Sequence, residues 1–378
     1  MNNTVKILHT ADIHIGAAES FLGENASLRR FETLKTFEKI IDLGKERSVD
    51  IIILAGDVFD SNRVEERFIN AFFEKIEKAA PIKTVFAAGN HDPLNSESPF
   101  LNRTLPENLF VLGTKDECIT FEELKLKVYG RSFESSSLKG EETFSISPIS
   151  QDYVNLMVQH GDLCNDLNSD YNPITPKFVK SSGMDYIALG HIHKRIPVAK
   201  LGNTHFAYCG CPEGQGFDEL DEKGVYIGEI GKNICNLEFV TVSQRRHIHE
   251  KIDISEFSNS GEISAYIIDT LMKNYGESFG DNLYKIELTG QLKPDAEIIT
   301  DEIKSRLATE LYFVKLKDNT EYYVNLEELS EEVSLKGIFV KKMLEKEQNA
   351  ADTDKPLIRK ALMLGLKAFS GEVKYNED

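Results

Sequence analysis

The stretch DIIILAGDVFD (residues 50–60) decides the fold class, because an apolar, strand-like run ends in a glycine that is followed at once by an aspartate. Four further runs end in polar motifs in the same manner: VKILHTADIH (5–14), KTVFAAGNHD (83–92), VNLMVQHG (154–161) and DYIALGHIH (185–193). Short apolar runs that alternate with segments of helical periodicity are typical of layered α/β folds. We therefore expect an α/β protein whose polar motifs gather at the carboxyl ends of its strands.

Two segments between these strands have helical periodicity. Apolar side chains recur at helical spacing in residues 29–50, and again in residues 65–80 before Pro81. The apolar face of the second segment is formed by Phe68, Phe72, Phe73 and Ile76. Such a face can pack on the sheet or on a second copy of the chain, and we favour the sheet.

The pattern changes after about residue 245, where a small α/β module with none of the motifs begins. Beyond it, residues 325–348 and 355–369 are two helical segments separated by the polar linker NAADTD. We therefore predict three parts, over residues 1–245, 246–322 and 323–378. The apolar stripes of the last two helices either fold back on the small module or form a docking surface, and both interpretations stay open.

The composition limits the function classes. The chain has 378 residues with a formal net charge of −18, so a generally basic surface that grips nucleic acid is excluded. The basic pairs Arg29-Arg30, Lys194-Arg195 and Arg245-Arg246 are read as solvated charge, with local DNA contact as the alternative. The chain has no apolar run near 20 residues and no signal-peptide pattern, so we expect a soluble, cytoplasmic protein without a membrane partner.

The five cysteines do not indicate a disulfide framework, because their number is odd and the chain has the character of an intracellular protein. Cys209 and Cys211 form a CxC pair that could bind a soft metal. No second Cys/His cluster lies beside them in the sequence to complete a tetrahedral site. We therefore expect reduced thiols at the end of a strand.

The polar motifs contain the side chains of a two-metal phosphoesterase centre. Side chains two residues apart in a strand point to the same side, so Asp12 and His14 at a strand end can close on one ion. Asp57 offers two carboxylate oxygens and can bridge two cations, and Asn90 adds a neutral oxygen. The motifs also contain five of the nine histidines: His14, His91, His160, His191 and His193. A single histidine at a strand end is usually structural, but five in this setting indicate a metal site.

The order D-x-H, GDxxD, GNHD, a lone histidine and GHxH resembles the calcineurin-like metallophosphoesterase superfamily. Within it, the chain is similar to the SbcD- and YhaO-type nucleases of bacteria and to the meiotic-recombination-eleven nucleases of archaea and eukaryotes. The resemblance extends to about residue 320. It implies a two-sheet sandwich flanked by helices, with the small α/β module as a capping domain and a C-terminal helical tail.

The resemblance also implies a ligand set. One ion would be held by Asp12, His14 and His193, and Asp57 would bridge it to a second ion. The ligands of the second ion would be Asn90, His160 and His191. Two Mn²⁺ ions are expected, with Mg²⁺ as an alternative, and such a pair would polarise a phosphodiester for in-line attack by hydroxide.

Two further residues would act on the substrate or on its surroundings. His91 would protonate the leaving oxygen or stabilise the phosphorane, a role that suits an imidazole. Asp60 would orient His91 or a metal ligand, and its alternative is a capping residue for the turn that follows. Archaeal relatives have a histidine in place of Asp60, whereas bacterial SbcD-like sequences have an aspartate.

The resemblance favours a Mn²⁺-dependent DNA exonuclease and endonuclease subunit in DNA repair. Its partners would be DNA ends, a second copy of the chain and an SMC-like ATPase of the SbcC type, bound through the C-terminal helices. A phosphatase or phosphodiesterase acting on small molecules or phosphoproteins is the runner-up, because the motifs bind phosphate rather than a substrate class. A scaffold without activity is disfavoured by the full ligand set.

Overall fold

The computed structural model describes residues 3–17, 19–139, 149–165, 167–220, 222–293, 296–323 and 325–369. Two compact units are present. The first comprises Met1–Glu250, Glu277–Lys285 and Leu311–Lys315, and the second comprises Lys251–Gly276, Ile286–Glu310 and Leu316–Asp378. The division into domains at residues 245 and 322 remains a prediction. The end of the predicted tail, residues 370–378, lies outside the described residues.

The strands of the first unit account for most of the apolar runs in the sequence. They are β1 (Thr4–Thr10), β2 (Ile51–Leu54), β3 (Lys83–Phe86), β4 (Leu109–Val111), β5 (Glu117–Phe121), β6 (Leu126–Gly130), β7 (Val154–His160), β8 (Tyr186–Gly190), β9 (Ile196–Leu201), β10 (Thr204–Tyr208), β11 (Gly224–Gly231) and β12 (Ile234–Thr241). The helices are α1 (Ala26–Glu46), α2 (Glu66–Glu77) and α3 (Pro176–Ser181).

These strands form two six-stranded sheets with parallel centres. The first has the order β12-β11-β1-β2-β3-β4, in which β1 to β4 are parallel. The second has the order β5-β6-β7-β8-β10-β9, in which β6, β7, β8 and β10 are parallel. A parallel strand covered on both faces is apolar throughout, and all four residues of β2 are buried.

The apolar core confirms the expected two-sheet sandwich flanked by helices. Side chains of both sheets share one buried cluster, in which Ile53 and Val85 of the first sheet join Val128 and Leu156 of the second. A second buried cluster lies under α1 and α2, and contains Phe68, Phe72, Phe73 and Ile76. The apolar face of α2 therefore packs in the core, as favoured from the sequence.

The chain continues with β13 (His247–Asp253), α4 (Ser260–Tyr275), β14 (Leu283–Thr289), β15 (Gln291–Leu292), α5 (Thr300–Leu307), β16 (Phe313–Asp318) and β17 (Glu321–Tyr322). β13, β14 and β16 form a three-stranded sheet, and β15 pairs with β17. These elements are strands and helices, as expected for the small α/β module.

The C-terminal segment of the second unit contains α6 (Leu326–Ser330), α7 (Leu335–Gln348) and α8 (Lys355–Phe369). Residues 325–348 are thus two helices rather than the single helix predicted, because the Ser334 side chain accepts a hydrogen bond from the Gly337 N–H and starts a new helix. Val340, Leu362 and Leu366 are buried in a cluster that the three helices share. Among the described residues, no helix has the length and apolar character needed to cross a bilayer.

Candidate metal centre

The predicted site residues lie at the ends of strands of both sheets of the first unit or just beyond them. β1, β2 and β3 of the first sheet lead to Asp12 and His14, to Asp57 and Asp60, and to Asn90 and His91, respectively. β7 and β8 of the second sheet lead to His160, His191 and His193. The carboxyl ends of the parallel strands of both sheets therefore meet at one site, as expected for this class of fold.

Four of these residues have a left-handed backbone. The φ angles are 53° at Asp12, 50° at His14, 50° at Asp57 and 97° at His191. Residues other than glycine rarely adopt this conformation, and it concentrates at functional sites. The sequence predicted that strand alternation would bring Asp12 and His14 together, but the left-handed turns beyond β1 do so instead.

The first group of converging side chains contains Asp12, His14 and His193. The Nε2 atoms of the two histidines are 3.1 Å apart. Nδ1 of His193 donates to Oε1 of Glu219 at 2.6 Å, and Nδ1 of His14 lies 3.4 Å from Oδ1 of Asp60. The bond to Glu219 leaves the Nε2 lone pair of His193 directed at Nε2 of His14, and a cation can bind between the two atoms. The residues therefore fit a metal ion.

The second group contains Asp57, His160 and His191, with Asn90 beside them. Nδ1 of the buried His160 donates to the Ala55 carbonyl oxygen at 2.8 Å, so Nε2 of the neutral ring is an acceptor. That Nε2 lies 3.0 Å from Oδ1 of Asn90 and 3.2 Å from Oδ2 of Asp57. When the His160 ring is neutral, three acceptor atoms thus converge, and such a set of ligand atoms suits a cation.

Asp57 lies between the two groups, because its Oδ2 atom is 3.2 Å from Nε2 of His160 and 3.9 Å from Nε2 of His14. Burial works against a charged imidazole, but the Asp57 carboxylate outweighs it and raises the pKa of His160 to about 9. Burial also opposes ionisation of Asp57, yet the neighbouring histidines hold its pKa well below the usual range. Both shifts show that this pocket favours positive charge.

His91 lies at the exposed side of the two groups. Its backbone N–H donates to Oδ1 of Asp57 at 2.9 Å, and its ring stands edge-on to His14 with centroids 4.7 Å apart. Nδ1 of His91 lies 3.0 Å from the backbone oxygen of Asp60. The Asp60 side chain instead lies near His14, and Glu65 rather than Asp60 is the N-cap of α2.

Three carboxylates near the site were given no role in the sequence analysis. Asp92 is fully buried and accepts backbone N–H groups from Gly89, Asp57, Val58 and Phe59, so it joins the loops after β2 and β3. Burial and the Asp57 charge raise the pKa of Asp92 to about 6. Glu219 and Asp162 contact His193 and His191, respectively. Asp92 could have been found from its place in GNHD, but nothing in the sequence marked the other two.

The CxC pair does not act as one unit. Cys211 groups with His193 and Glu219, and its thiol donates to Oε2 of Glu219. The Cys209 thiol donates to the carbonyl oxygen of Gly210. Burial raises the pKa of both thiols well above the ordinary value, which keeps them protonated. Both cysteines are buried with free thiols, as expected for reduced thiols.

Residues 5–195 match the family described as calcineurin-like phosphoesterase. The chain is 29% identical over 289 residues to the uncharacterized metallophosphoesterase YhaO of Bacillus subtilis, which covers 72% of this chain and 69% of that protein. It is 25% identical over 268 residues to the DNA double-strand break repair protein Mre11 of Methanopyrus kandleri, covering 65% and 58%.

A third relative is the SbcD component of the SbcCD nuclease of Staphylococcus epidermidis, which is 26% identical over 279 residues, covering 65% of this chain and 71% of that protein. The family match includes every one of the five motifs, from Asp12 to His193, and spans half of the chain. The chain belongs to the calcineurin-like phosphoesterase family.

Proposed function

We propose that the protein is a Mn²⁺-dependent DNA nuclease subunit that hydrolyses phosphodiesters at DNA ends in DNA repair. The observation that carries the proposal is the convergence of acceptor atoms around Asp57 with the exposed His91 beside them. Similarity to proteins named as repair nucleases supports DNA as the substrate. Because the net charge of the chain is −18, we expect a partner protein to provide much of the contact with the DNA phosphates.

The proposed ligands follow the two groups. Asp12, His14 and His193 would hold one ion, Asn90, His160 and His191 the other, and Asp57 would bridge them. Oxygen ligands mixed with imidazoles suit Mn²⁺, and Mg²⁺ is the alternative. When bound, such a pair polarises the phosphodiester and provides a hydroxide nucleophile for in-line displacement.

His91 would act on the substrate rather than on a metal. It is the exposed member of the site, whereas Asp12, His14, Asp57 and His160 are buried. The contact from Nδ1 to the Asp60 carbonyl oxygen fixes the ring and leaves Nε2 as the atom that can hold a proton for the leaving oxygen. Because that contact uses the backbone of Asp60, we assign the Asp60 side chain to the orientation of His14 instead.

The partner surfaces are proposed from exposed apolar side chains. On α7 and α8, Leu335, Leu357 and Leu364 are 79%, 72% and 59% exposed, which suits docking of a coiled-coil ATPase. The apolar face of α2 is buried, so a homodimer would use the exposed Leu28 and Phe31 of α1 instead. Replacement of Leu357 and Leu364 by glutamate should abolish co-purification with the ATPase while the metal content stays unchanged.

The central test uses purified full-length protein with Mn²⁺ and linear duplex DNA, with and without the ATPase partner. We expect DNA degradation, and a loss of rate of about 10²- to 10⁴-fold in His91→Ala and His91→Asn with two Mn²⁺ still bound. Chromogenic phosphomonoesters and phosphodiesters serve as reference substrates. Hydrolysis of these compounds without any cleavage of DNA would contradict the nuclease proposal and favour a small-molecule or phosphoprotein phosphatase. Failure to bind two ions would contradict both proposals and favour a scaffold without activity.

A further inference from the structure

The two histidines of the GHIH motif are held by carboxylates on opposite ring nitrogens. In His193, Nδ1 donates to Oε1 of Glu219 at 2.6 Å, and Nε2 faces Nε2 of His14. In His191, Nε2 lies 3.4 Å from Oδ1 of Asp162, and Nδ1 faces Oδ1 of Asn90 at 3.2 Å. In each ring, the nitrogen turned away from the proposed ligands has a carboxylate partner.

We infer that Glu219 and Asp162 are positioning residues that hold His193 and His191 in opposite tautomers, so that His193 binds its metal through Nε2 and His191 through Nδ1. The inference rests on the proposed two-metal centre. It adds that each carboxylate controls the affinity of one ion only. A neutral imidazole has one proton, and the acceptor beside one nitrogen decides which nitrogen keeps a lone pair for the metal.

Glu219 is well placed for this role. Its Oε1 atom accepts from His193, whereas Oε2 accepts from the Gln215 backbone N–H at 3.0 Å and from the Cys211 thiol at 3.2 Å. The carboxylate is thus fixed from its far side, and only one oxygen is directed at the imidazole. A fixed acceptor both orients the ring and increases the electron density at Nε2, which strengthens metal binding.

Asp162 has the same arrangement with a weaker contact. Its Oδ2 atom accepts from the Ser169 hydroxyl, and Oδ1 is the atom near His191. The 3.4 Å separation is longer than an ordinary N–H···O hydrogen bond, whereas Glu219 accepts from His193 at 2.6 Å, so we expect Asp162 to contribute less than Glu219. Tyr171 covers the other side of His191, with ring centroids 4.6 Å apart.

The test is a titration of chelator-treated full-length protein with Mn²⁺, in which electron paramagnetic resonance measures the free ion. Glu219→Ala should weaken one of the two sites by about 10- to 100-fold, and Asp162→Ala should weaken the other by about 10-fold or less. Glu219→Gln keeps an acceptor without the charge, so an intermediate affinity is expected, and this variant preserves the shape of the loop.

Two matched controls test whether the loops rather than the imidazole contacts matter. Cys211→Ala removes a partner of Glu219, and Ser169→Ala removes a partner of Asp162, while both contacts to histidine remain. The Mn²⁺ affinity of both control variants should stay within about twofold of the wild-type affinity. Removal of a carboxylate that contacts a ligating histidine typically lowers the affinity by about 10- to 100-fold.

Double variants identify the histidine through which each carboxylate acts. In a His193→Ala background, Glu219→Ala should have no further effect, whereas Asp162→Ala should still weaken the remaining site. An equal loss from Glu219→Ala in both backgrounds would show that it acts through the fold and would overturn the inference. Unchanged affinities in all variants would also overturn it, with the metal centre intact, whereas a wild type that binds fewer than two ions would overturn the proposed function itself.

Discussion

The first unit buries two dense clusters of charged side chains, which differ in the source of their positive charge. In one, the Arg29 guanidinium lies among Glu19, Glu32 and Glu213 at 2.8, 3.0 and 2.7 Å. In the other, the proposed metal centre, Asp12 and Asp57 form ion pairs with histidines alone over the described part of the chain. The first cluster contains its own permanent cation, and the second does not.

The difference separates a structural charge cluster from a binding site. Nε, Nη1 and Nη2 of Arg29 all donate to acceptors, the last of these to the Gly214 carbonyl oxygen at 2.7 Å. The chain itself supplies the cations of this cluster, because Arg29 contacts all three carboxylates and Arg245 also contacts Glu32. In the proposed metal centre, carboxylate and imidazole acceptor atoms face one another. The negative charge of Asp12 and Asp57 is balanced only when histidines are protonated or metal ions bind.

The largest expected effect comes from adding Mn²⁺ to the proposed metal centre. Mn²⁺ at 100 times the dissociation constant should raise the free energy of unfolding by about 2.7 kcal/mol for each site, or about 5.4 kcal/mol for the two sites together, because the ions bind the folded state. Urea unfolding with and without Mn²⁺ measures this gain. Asp57→Asn is the control, since it removes the bridging carboxylate and should lose most of the gain. If Mn²⁺ stabilised Asp57→Asn as much as the wild type, the stabilising ions would bind outside the proposed metal centre.

The next effect comes from removing the cation that the chain provides. Arg29→Met should lower the free energy of unfolding by about 3 to 5 kcal/mol, because it removes the buried cation that contacts three carboxylates. Arg29→Lys keeps the charge but cannot reproduce the forked contacts, so a smaller loss is expected. The Mn²⁺ gain should persist in Arg29→Lys, because none of the Arg29 partners is a proposed ligand. Loss of that gain would mean that the two clusters are coupled.

The sequence predicted the convergence of the proposed ligands far better than the Arg29 cluster. The ligands follow apolar strands, and parallel strands bring their carboxyl ends together, so the strand pattern alone gathers Asp12, Asp57 and His160. Arg29 is fully buried, although the sequence suggested solvated charge or DNA contact for the Arg29-Arg30 pair. Its partners include Glu213, 184 residues away, and pairing over such a distance leaves no local pattern.

The finer geometry of the site was also beyond the sequence. The backbone at Asp12 and His14 is left-handed instead of following the strand alternation that was expected. Glycine or asparagine is the usual sequence signal for a left-handed backbone, and neither residue stands at these positions. Glu219 reaches His193 from a loop that has no motif character. Such contacts depend on tertiary packing, whereas the choice of ligand types depends on chemistry that the sequence displays directly.

His9 shows a third way to bury a polar group, which is to keep it neutral, and its removal is expected to have the smallest effect. Nδ1 lies 2.9 Å from the Tyr186 hydroxyl and Nε2 lies 3.2 Å from the Leu189 carbonyl oxygen, so one tautomer satisfies both atoms without a charge. Burial lowers the pKa of His9 to about 3, and the bond to Leu189 offsets only part of this effect. In the unfolded chain the ordinary value, about 6.5, applies.

Between these two values the unfolded state holds a proton that the folded state lacks, so stability falls as the pH falls below about 6.5 and levels off near pH 3. At pH 5 the loss amounts to about 2 kcal/mol relative to pH 8. His9→Gln retains a donor and an acceptor but cannot titrate. Urea unfolding at both pH values should therefore show that the difference in free energy of unfolding between the wild type and His9→Gln is smaller at pH 5 than at pH 8 by about this amount. Parallel pH profiles would mean that His9 takes up its proton in the folded state at the same pH as in the unfolded state. The folded protein would then stabilise the protonated form of this buried imidazole, as it does for His160.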